Sequence, residues 1–525
     1  MTTSAFDTLR APRPPDPRLG PVRWPEKEQW RQVDRKLLIL FPASVALALW
    51  YFEWLLRPDR IGNRALYGLL VVAELFNLVQ AAGFWWTCRH GKDRPARPPS
   101  SGRALGAVDV LVPVYNEPLE IVTPTLEAAL ALRGAPVTVF LLDDAGRPEL
   151  AALAARLGAR YLRRGVNTGA KAGNLNHALC HSEAPFVAVF DCDHLPDARF
   201  LEATLGWFED PAVAYVQTPQ YYANAAQGGV AAAAWAQQSL FFGGIARGKD
   251  GLGAMFCCGT NVVFRRQALD DVAGFPEQSL TEDFELSVRM HELGWRSVYV
   301  NEVLAQGLGP EDMASYVSQQ QRWARGCLAV IPVAVRADLP WRIRLQYLLS
   351  SMFFLSGWTF ALYMAFPIIR ILTGAQPLAG TTADQFLLHF APYFCVSLGA
   401  VAVAGAGRYT FDAFALLIAN FWVHIVSTFF VLLRRKGRFV VTAKRGRAEA
   451  QPTTVIPALA VMAALMASIA YAMARTLTAG TVNNVAFAVL HLSVLVIGAW
   501  PALAGRRAAE ARVDEPADQS EEQAA

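Results

Sequence analysis

Two short acidic motifs each follow an apolar run, and their chemistry is that of a cation site. Val137–Leu142 runs into Asp143-Asp144, and Phe186–Phe190 runs into Asp191-Cys192-Asp193-His194. Two carboxylates one residue apart, on a chain leaving a strand, offer hard oxygen ligands to a divalent cation that also grips phosphate oxygens. A lone DxD is most often a solvated turn, so its company matters. Thr281-Glu282-Asp283 follows a turn bearing Gly and Pro, and Gln319, Arg322 and Trp323 stand at i, i+3 and i+4, on one side of a helical stretch. By itself this QxxRW spacing reads as well as an exposed amphipathic face.

The elements that must carry these residues are legible as patterns. Ala107–Val112, Val137–Leu142 and Phe186–Phe190 read as strands buried on both faces and separated by helical, Ala-rich segments. That predicts a mostly parallel α/β sheet, in which ligands gather outside the carboxyl ends of the strands. Apolar runs bracket this soluble stretch, about residues 104–339. Leu37–Leu56 and Ala65–Trp86 precede it, within a region 37–87. Leu345–Ile369, Phe386–Ala404, Phe411–Leu433, Val455–Ala474 and Val485–Ala504 follow it, within 340–504, each close to the roughly 20 residues that cross the hydrocarbon of a bilayer.

Composition agrees. Of 525 residues, 54% are hydrophobic and 18% charged, which excludes an ordinary soluble protein. Lys and Arg (48) barely exceed Asp and Glu (44), for a net charge of +4, and no basic stripe carries interleaved aromatics, so no nucleic-acid partner is expected. Seven cysteines without a CxxC pair fit reduced thiols better than a disulfide framework or zinc ribbon. Residues 1–36 are polar, Pro-rich and basic, expected to be disordered and without a cleaved signal peptide; the charged tail 505–525 is also expected to be disordered.

Charge sets the topology. The run Arg434, Arg435, Lys436, Arg438, Lys444, Arg445 and Arg447 belongs in the cytosol, as do the basic N-terminus and Arg89–Arg103. With the soluble domain cytosolic, that loop stays inside only if one run between Leu345 and the loop fails to cross. Phe411–Leu433 is that run: its Asp412, Asn420 and His424 are costly in hydrocarbon and acceptable on an interfacial helix. The competing reading is a true span with buried polar groups. Arg57, Arg60 and Arg64, in the short loop placed outside, are accepted as an exception to the rule.

In order, the chain carries DD (Asp143, Asp144), KAGNLN (Lys171–Asn176), DCDH (Asp191–His194), VQTPQ (Val216–Gln220), FCCGT (Phe256–Thr260), TED (Thr281–Asp283) and QQQRWARG (Gln319–Gly326). This series resembles the processive family-2 glycosyltransferases, and within them the bacterial cellulose-synthase-like enzymes, of the catalytic-subunit type without a PilZ domain. Phe439-Val440-Val441-Thr442-Ala443-Lys444 is similar to the family's FxVTxK gating loop and sits in the basic loop that charge counting keeps cytosolic. The resemblance covers about Ala107 to Ala504. It implies an α/β GT-A (Rossmann-like) cytosolic glycosyltransferase domain inserted in an α-helical multi-span membrane domain of the bacterial inner membrane. After the catalytic domain it implies about four spans, an interfacial helix 411–433 and a gating loop 436–447.

For single residues the resemblance implies roles. Asp143 and Asp144 hold the nucleoside, Lys171 lies near the donor, and Asp191 and Asp193 bind the diphosphate with Mg²⁺ or Mn²⁺. Gln319 and Arg322 reach the diphosphate, and Thr442 and Lys444 close over the nucleotide. Trp323, Cys258 and Glu282 face the acceptor, and Asp283 is the base of an inverting displacement. The implied activity is polymerisation of a β-glucan from UDP-glucose, with the growing polysaccharide as acceptor, lipid around the spans and a periplasmic export subunit as partner. The RWARG string tilts the donor towards UDP-glucose. Trp358, Tyr363, Phe366, Trp422 and Trp500 among the spans could stack on sugar rings, although such residues more often pack or face lipid.

Departures bear on this reading. Gly169 stands where a histidine is often found, the stretch after Ala504 is short for a PilZ domain, and two runs precede the catalytic domain where the family usually has four. Three alternatives stay open. They are a synthase of another β-glycan (mixed-linkage or β-1,3-glucan, poly-N-acetylglucosamine), a non-processive transferase acting on a lipid, and a noncatalytic membrane channel or scaffold subunit. Retention of Asp191, Asp193, Asp283 and Trp323 argues against the last.

Overall fold

The computed structural model describes residues 22–100, 105–434, 451–475 and 478–513. Between the membrane helices lies a seven-stranded sheet in the order β3-β2-β1-β4-β8-β6-β9. Its strands are β1 (Val108–Val114), β2 (Val137–Asp143), β3 (Arg160–Arg163), β4 (Phe186–Val189), β6 (Val213–Gln217), β8 (Val262–Arg265) and β9 (Arg296–Tyr299). A small second sheet joins β5 (Leu195–Pro196), β10 (Ala305–Gly307) and β7 (Tyr221–Tyr222). The central strands are rich in Val, Leu and Phe and bury both faces, as strands covered by helices must. Val110, Val112, Val139 and Leu141 enter one core, and Leu111, Phe140, Leu142 and Val187 the other. The expected parallel sheet is found with one exception. β8 runs antiparallel to both β4 and β6, while β3-β2, β2-β1, β1-β4 and β6-β9 are parallel. The strand order reverses at β1, which lies between β2 and β4, so a crevice opens at the carboxyl ends of β1, β2 and β4.

Six helices are long and apolar enough to cross a membrane: Lys27–Leu55, Arg64–Arg89, Trp341–Thr373, Ala383–Ala404, Pro452–Met473 and Gly480–Ala504. By this measure the chain is a multi-pass membrane protein.

Three sequence expectations change. The first helix starts at Lys27, so the stretch to Lys36 is helical and not disordered; Glu26 and Gln29 form a capping box, and Trp30, Val33 and Leu37 are buried one turn apart. The last helix extends to Val513, into the supposed disordered tail. The stretch 411–433 is not one interfacial helix: Phe411–Ala419 and Phe421–Leu432 meet at Asn420 with a bend of 44°. Its polar groups are not on a wet face either. Asn420 and His424 are buried; the Asn420 amide donates to the Leu416 carbonyl at 2.9 Å, and His424 Nδ1 lies 3.3 Å from the Ser356 hydroxyl. The first piece packs on the C-terminal helix, and the second on the helices Met313–Arg336 and Ser356–Thr373. The expected gating loop 436–447 lies outside the described residues.

The joint between the soluble and membrane parts is a rod running from Gly229 to Gly251, α-helical except for a π-helical turn at Phe241–Ile245. It lies so close to the second membrane helix that a Cβ on Gly248 would stand 2.1 Å from the Thr87 carbonyl oxygen. Beside it, the buried Arg247 grips Asp34 of the first membrane helix (2.9 and 3.2 Å) and Asp93 of the connector (2.6 and 3.1 Å), and lies 4.6 Å over the Trp30 ring. Removing one partner of a buried ion pair strands the other. Arg247→Ala is therefore expected to lower stability by about 3 kcal/mol, the low end for such pairs because Asp34 keeps 38% of its side-chain exposure. Thermal unfolding of the detergent-solubilised protein, with Arg247→Lys as the milder control, checks it.

Candidate active site

The crevice collects residues from every predicted motif. β4 ends in Asp191-Cys192-Asp193-His194, whose metal-capable atoms on Asp191, Asp193 and His194 all lie within 4.8 Å of one another. The Asp193 carboxylate accepts from the Leu308 amide at 3.4 Å and lies 3.4 Å from His194 Nδ1. His194 Nε2 is a buried polar atom with no hydrogen-bond partner among the described residues. Two carboxylates and an imidazole with an orphaned nitrogen suit a divalent cation such as Mg²⁺ or Mn²⁺. The sequence reading assigned the two aspartates and overlooked His194, although it directly follows them.

Lys171 reaches this group from the first turn of the helix Ala170–Leu179. Its Nζ donates to Asp191 Oδ1 at 2.5 Å and to the Gly259 carbonyl at 2.8 Å. Burial works against the ammonium, but the charges of Asp191, Glu282 and Asp283 prevail and raise its pKa. Gly259 separates Lys171 from Asp283: with φ +79°, a Cβ there would lie 2.9 Å from Asp283 Oδ2 and 3.5 Å from Lys171 Nζ. Only glycine fits this left-handed wedge without strain.

Asp283 opens the helix Glu282–Glu292 and accepts the Phe284 amide at 2.8 Å. Burial, and then the charge of Glu282, push its carboxyl up to about 7, against the pull of Lys171, the Phe284 N–H and Arg322. A carboxyl poised there can take and return protons at neutral pH.

The DD pair divides. Asp144 lines the crevice with both oxygens held by Arg164, a residue the sequence reading passed over. Asp143, expected to hold a nucleoside, is fully buried and turned away. It accepts from the amides of Ala145 (3.0 Å), Gly146 (3.0 Å) and Arg147 (2.6 Å) and from the Tyr161 hydroxyl (2.8 Å), so it shapes the turn under the crevice. VQTPQ also has a structural part: buried Gln217 accepts from the Cys258 amide and donates to the Thr260 carbonyl, both at 2.8 Å, stapling the FCCGT segment.

Cys258, Glu282, Gln319, Arg322 and Trp323 line the same cavity, of about 1150 Å³. Thr442 and Lys444 lie outside the described residues. The cavity does not stop at the soluble domain. From Asp144 and Lys171 it passes Asp283 and Trp323 and continues between membrane helices, where Gln80, Phe84, Phe394 and Ser397 form its wall.

Residues 186–426 match the family model described as "Glycosyl transferase family group 2". Cellulose synthase 1 of Komagataeibacter xylinus is 33% identical over 433 residues, which are 79% of this chain and 28% of that protein. The cellulose synthase 1 catalytic subunit [UDP-forming] of the same organism is 31% identical over 446 residues, 80% of this chain and 58% of that one. The chain thus spans between about a quarter and three fifths of these relatives' length. Among solved structures, the mannosyltransferase PcManGT from Pyrobaculum calidifontis, in complex with GDP-Man and Mn²⁺, covers 70% of this chain and 99% of its own, with a TM-score of 0.54 and 17% identity. The soluble domain therefore has a GT-A-like fold.

Asp193→Ala removes one of three clustered ligand groups and is expected to weaken Mn²⁺ binding at least about ten-fold, with His194→Ala doing the same. Paramagnetic titration of the purified protein with Mn²⁺ measures this directly.

Proposed function

We propose that this chain, which carries a glycosyltransferase family 2 domain and is similar to bacterial cellulose synthases along four fifths of its length, is a membrane-embedded, inverting and processive synthase that builds a β-glucan from UDP-glucose and passes it across the inner membrane. The observation that carries the reading is the single cavity running from Asp144 and Lys171, past Asp283, to a wall made by membrane helices. A transferase with a small, released product needs no such exit, whereas a growing chain held at Trp323 does.

Each residue then has a task. Asp283 takes the proton of the acceptor hydroxyl as that oxygen attacks the anomeric carbon, on the face opposite the diphosphate. The bond from the anomeric carbon to the phosphate oxygen breaks, UDP leaves with the electron pair, and the configuration inverts. A divalent cation at Asp191, Asp193 and His194 neutralises charge on the departing diphosphate when bound. Lys171 holds Asp191 in place, and Arg322 adds positive charge. Trp323 offers a flat apolar face to the terminal acceptor sugar. Thr442 and Lys444, on a basic cytosolic loop, close over the nucleotide, and the catalytic domain faces the cytosol. The UDP named in the relatives' activity is the leaving group this site would release.

The test uses membrane vesicles holding the full chain, given labelled UDP-glucose, UDP-N-acetylglucosamine or GDP-mannose with Mg²⁺ or Mn²⁺, the product then digested with linkage-specific glucanases. Polymer from UDP-glucose, cut by a β-1,4-glucanase, is expected; polymer only from another donor would reject the donor assignment. Because the base must be ionised and burial holds its pKa at about 7, the rate is expected to fall below that pH and level off above it. Asp283→Asn should lower kcat by about 10²–10⁴-fold while UDP affinity changes little.

A further inference from the structure

At its membrane end the cavity is lined by Gln80 and Ser397, whose Nε2 and Oγ are buried polar atoms with no hydrogen-bond partner among the described residues. Both sit on helices long and apolar enough to cross a membrane, where an unsatisfied polar group is costly. Gln80 is not isolated. On the helix Arg64–Arg89, Glu74, Asn77, Gln80, Phe84 and Thr87 fall within an arc of about 140° at 100° per residue, while Val72, Leu75 and Val79 point the opposite way and are exposed. Thr87, at the cytosolic-domain end of this face, accepts from the Gln346 amide at 2.8 Å; Gln346 in turn accepts from the buried Lys249 at 2.9 Å, and all three line the cavity.

Past Gln80, the same face is closed upon itself. The Tyr363 hydroxyl donates to Glu74 Oε1 at 3.0 Å and accepts from the Asn77 amide at 2.7 Å, and Thr359 donates to Asn77 Oδ1 at 3.5 Å. Glu74 is buried and forms no ion pair with Lys or Arg among the described residues. Carboxylates inside membrane segments are rare and mark paths for polar cargo. Here the carboxylate, amide and hydroxyl offer the acceptors and donors that sugar hydroxyls would replace one for one.

We infer that Glu74, Asn77 and Tyr363 form a polymer-exit subsite for an uncharged polyhydroxylated chain, held shut by their mutual hydrogen bonds until glycan hydroxyls exchange with them. The inference rests on the polymer-exporting reading above. It adds a selectivity: a carboxylate without a counter-cation repels a polymer bearing acid groups and tolerates a neutral one. The aromatic wall alongside continues with Phe394 and Phe390, stacked at 5.4 Å, leading away from the cavity along the helix Ala383–Ala404.

The test is made on the full chain in liposomes, with two readouts: UDP released with a short soluble disaccharide acceptor, and the rate and length of polymer made. Glu74→Leu is expected to slow elongation and shorten product about ten-fold, with transfer to the short acceptor within about two-fold of the unaltered chain; Glu74→Gln, which keeps an acceptor, should recover most of the elongation. Tyr363→Phe removes the hydroxyl that competes with the glycan for Glu74 and is expected to elongate at least as fast as the unaltered chain. Normal elongation in Glu74→Leu would overturn the inference. So would a parallel loss of both readouts in Glu74→Leu and Tyr363→Phe, the mark of a clamp that only holds helices together. Absence of UDP release by the unaltered chain from any sugar nucleotide would instead reject the synthase reading itself.

Discussion

One ammonium group makes the site chemically tenable. Asp191, Glu282 and Asp283 arrive from two distant segments, the end of β4 and the start of a helix almost a hundred residues later, and crowd into a largely buried space. Two like charges about 4 Å apart at a protein surface repel by about 4 kcal/mol. Lys171, anchored between Asp191 and the Gly259 carbonyl, offsets that repulsion. The compensation is partial, and the remainder shows in Asp283, whose carboxyl stays near 7 despite Lys171 and Arg322. The same imbalance that would be a flaw in a structural ion pair leaves a proton acceptor with the right strength for a hydroxyl nucleophile at neutral pH.

The site also depends on where the soluble domain is fastened. Donor-side residues belong to the sheet, Trp323 and Arg322 to a helix that packs on membrane segments, and the cavity is walled by both. A continuous passage exists only if the two parts keep one relative position. Arg247, bridging the first membrane helix and the connector, and the close approach of Gly248 to the second membrane helix provide that registration.

What the sequence made legible was local. Strands covered on both sides, spans and the acidic ends of β2 and β4 follow from short-range periodicity, and Gln319, Arg322 and Trp323 do share one cavity wall, as their spacing implies. Side-chain direction at a turn was less legible. Asp143 and Asp144 are chemically equal in the sequence, and only the Asx-type turn ending at Gly146 and Arg147 makes the first face inward; Gly three residues after an Asp was a usable signal. The early start of the first helix was hidden by its charges, although Trp30, Val33, Leu37 and Phe41 keep helical spacing. Arg247 with Asp34 and Asp93, and Gln217 with Cys258, are pairings between distant segments that leave no local trace.

The π-helical turn at Phe241–Ile245 fixes something other than shape. Such a turn is an α-helix holding one surplus residue. Dropping any residue from it would restore regular winding and rotate everything from Ala246 onward by about 100°. Arg247 would then leave Asp34 and Asp93, and Lys249 would leave Gln346, with no change in their identities. In this stretch the count of residues is therefore under tighter constraint than their kind, so an exchange at Phe241 is a smaller perturbation than a single-residue deletion beside it.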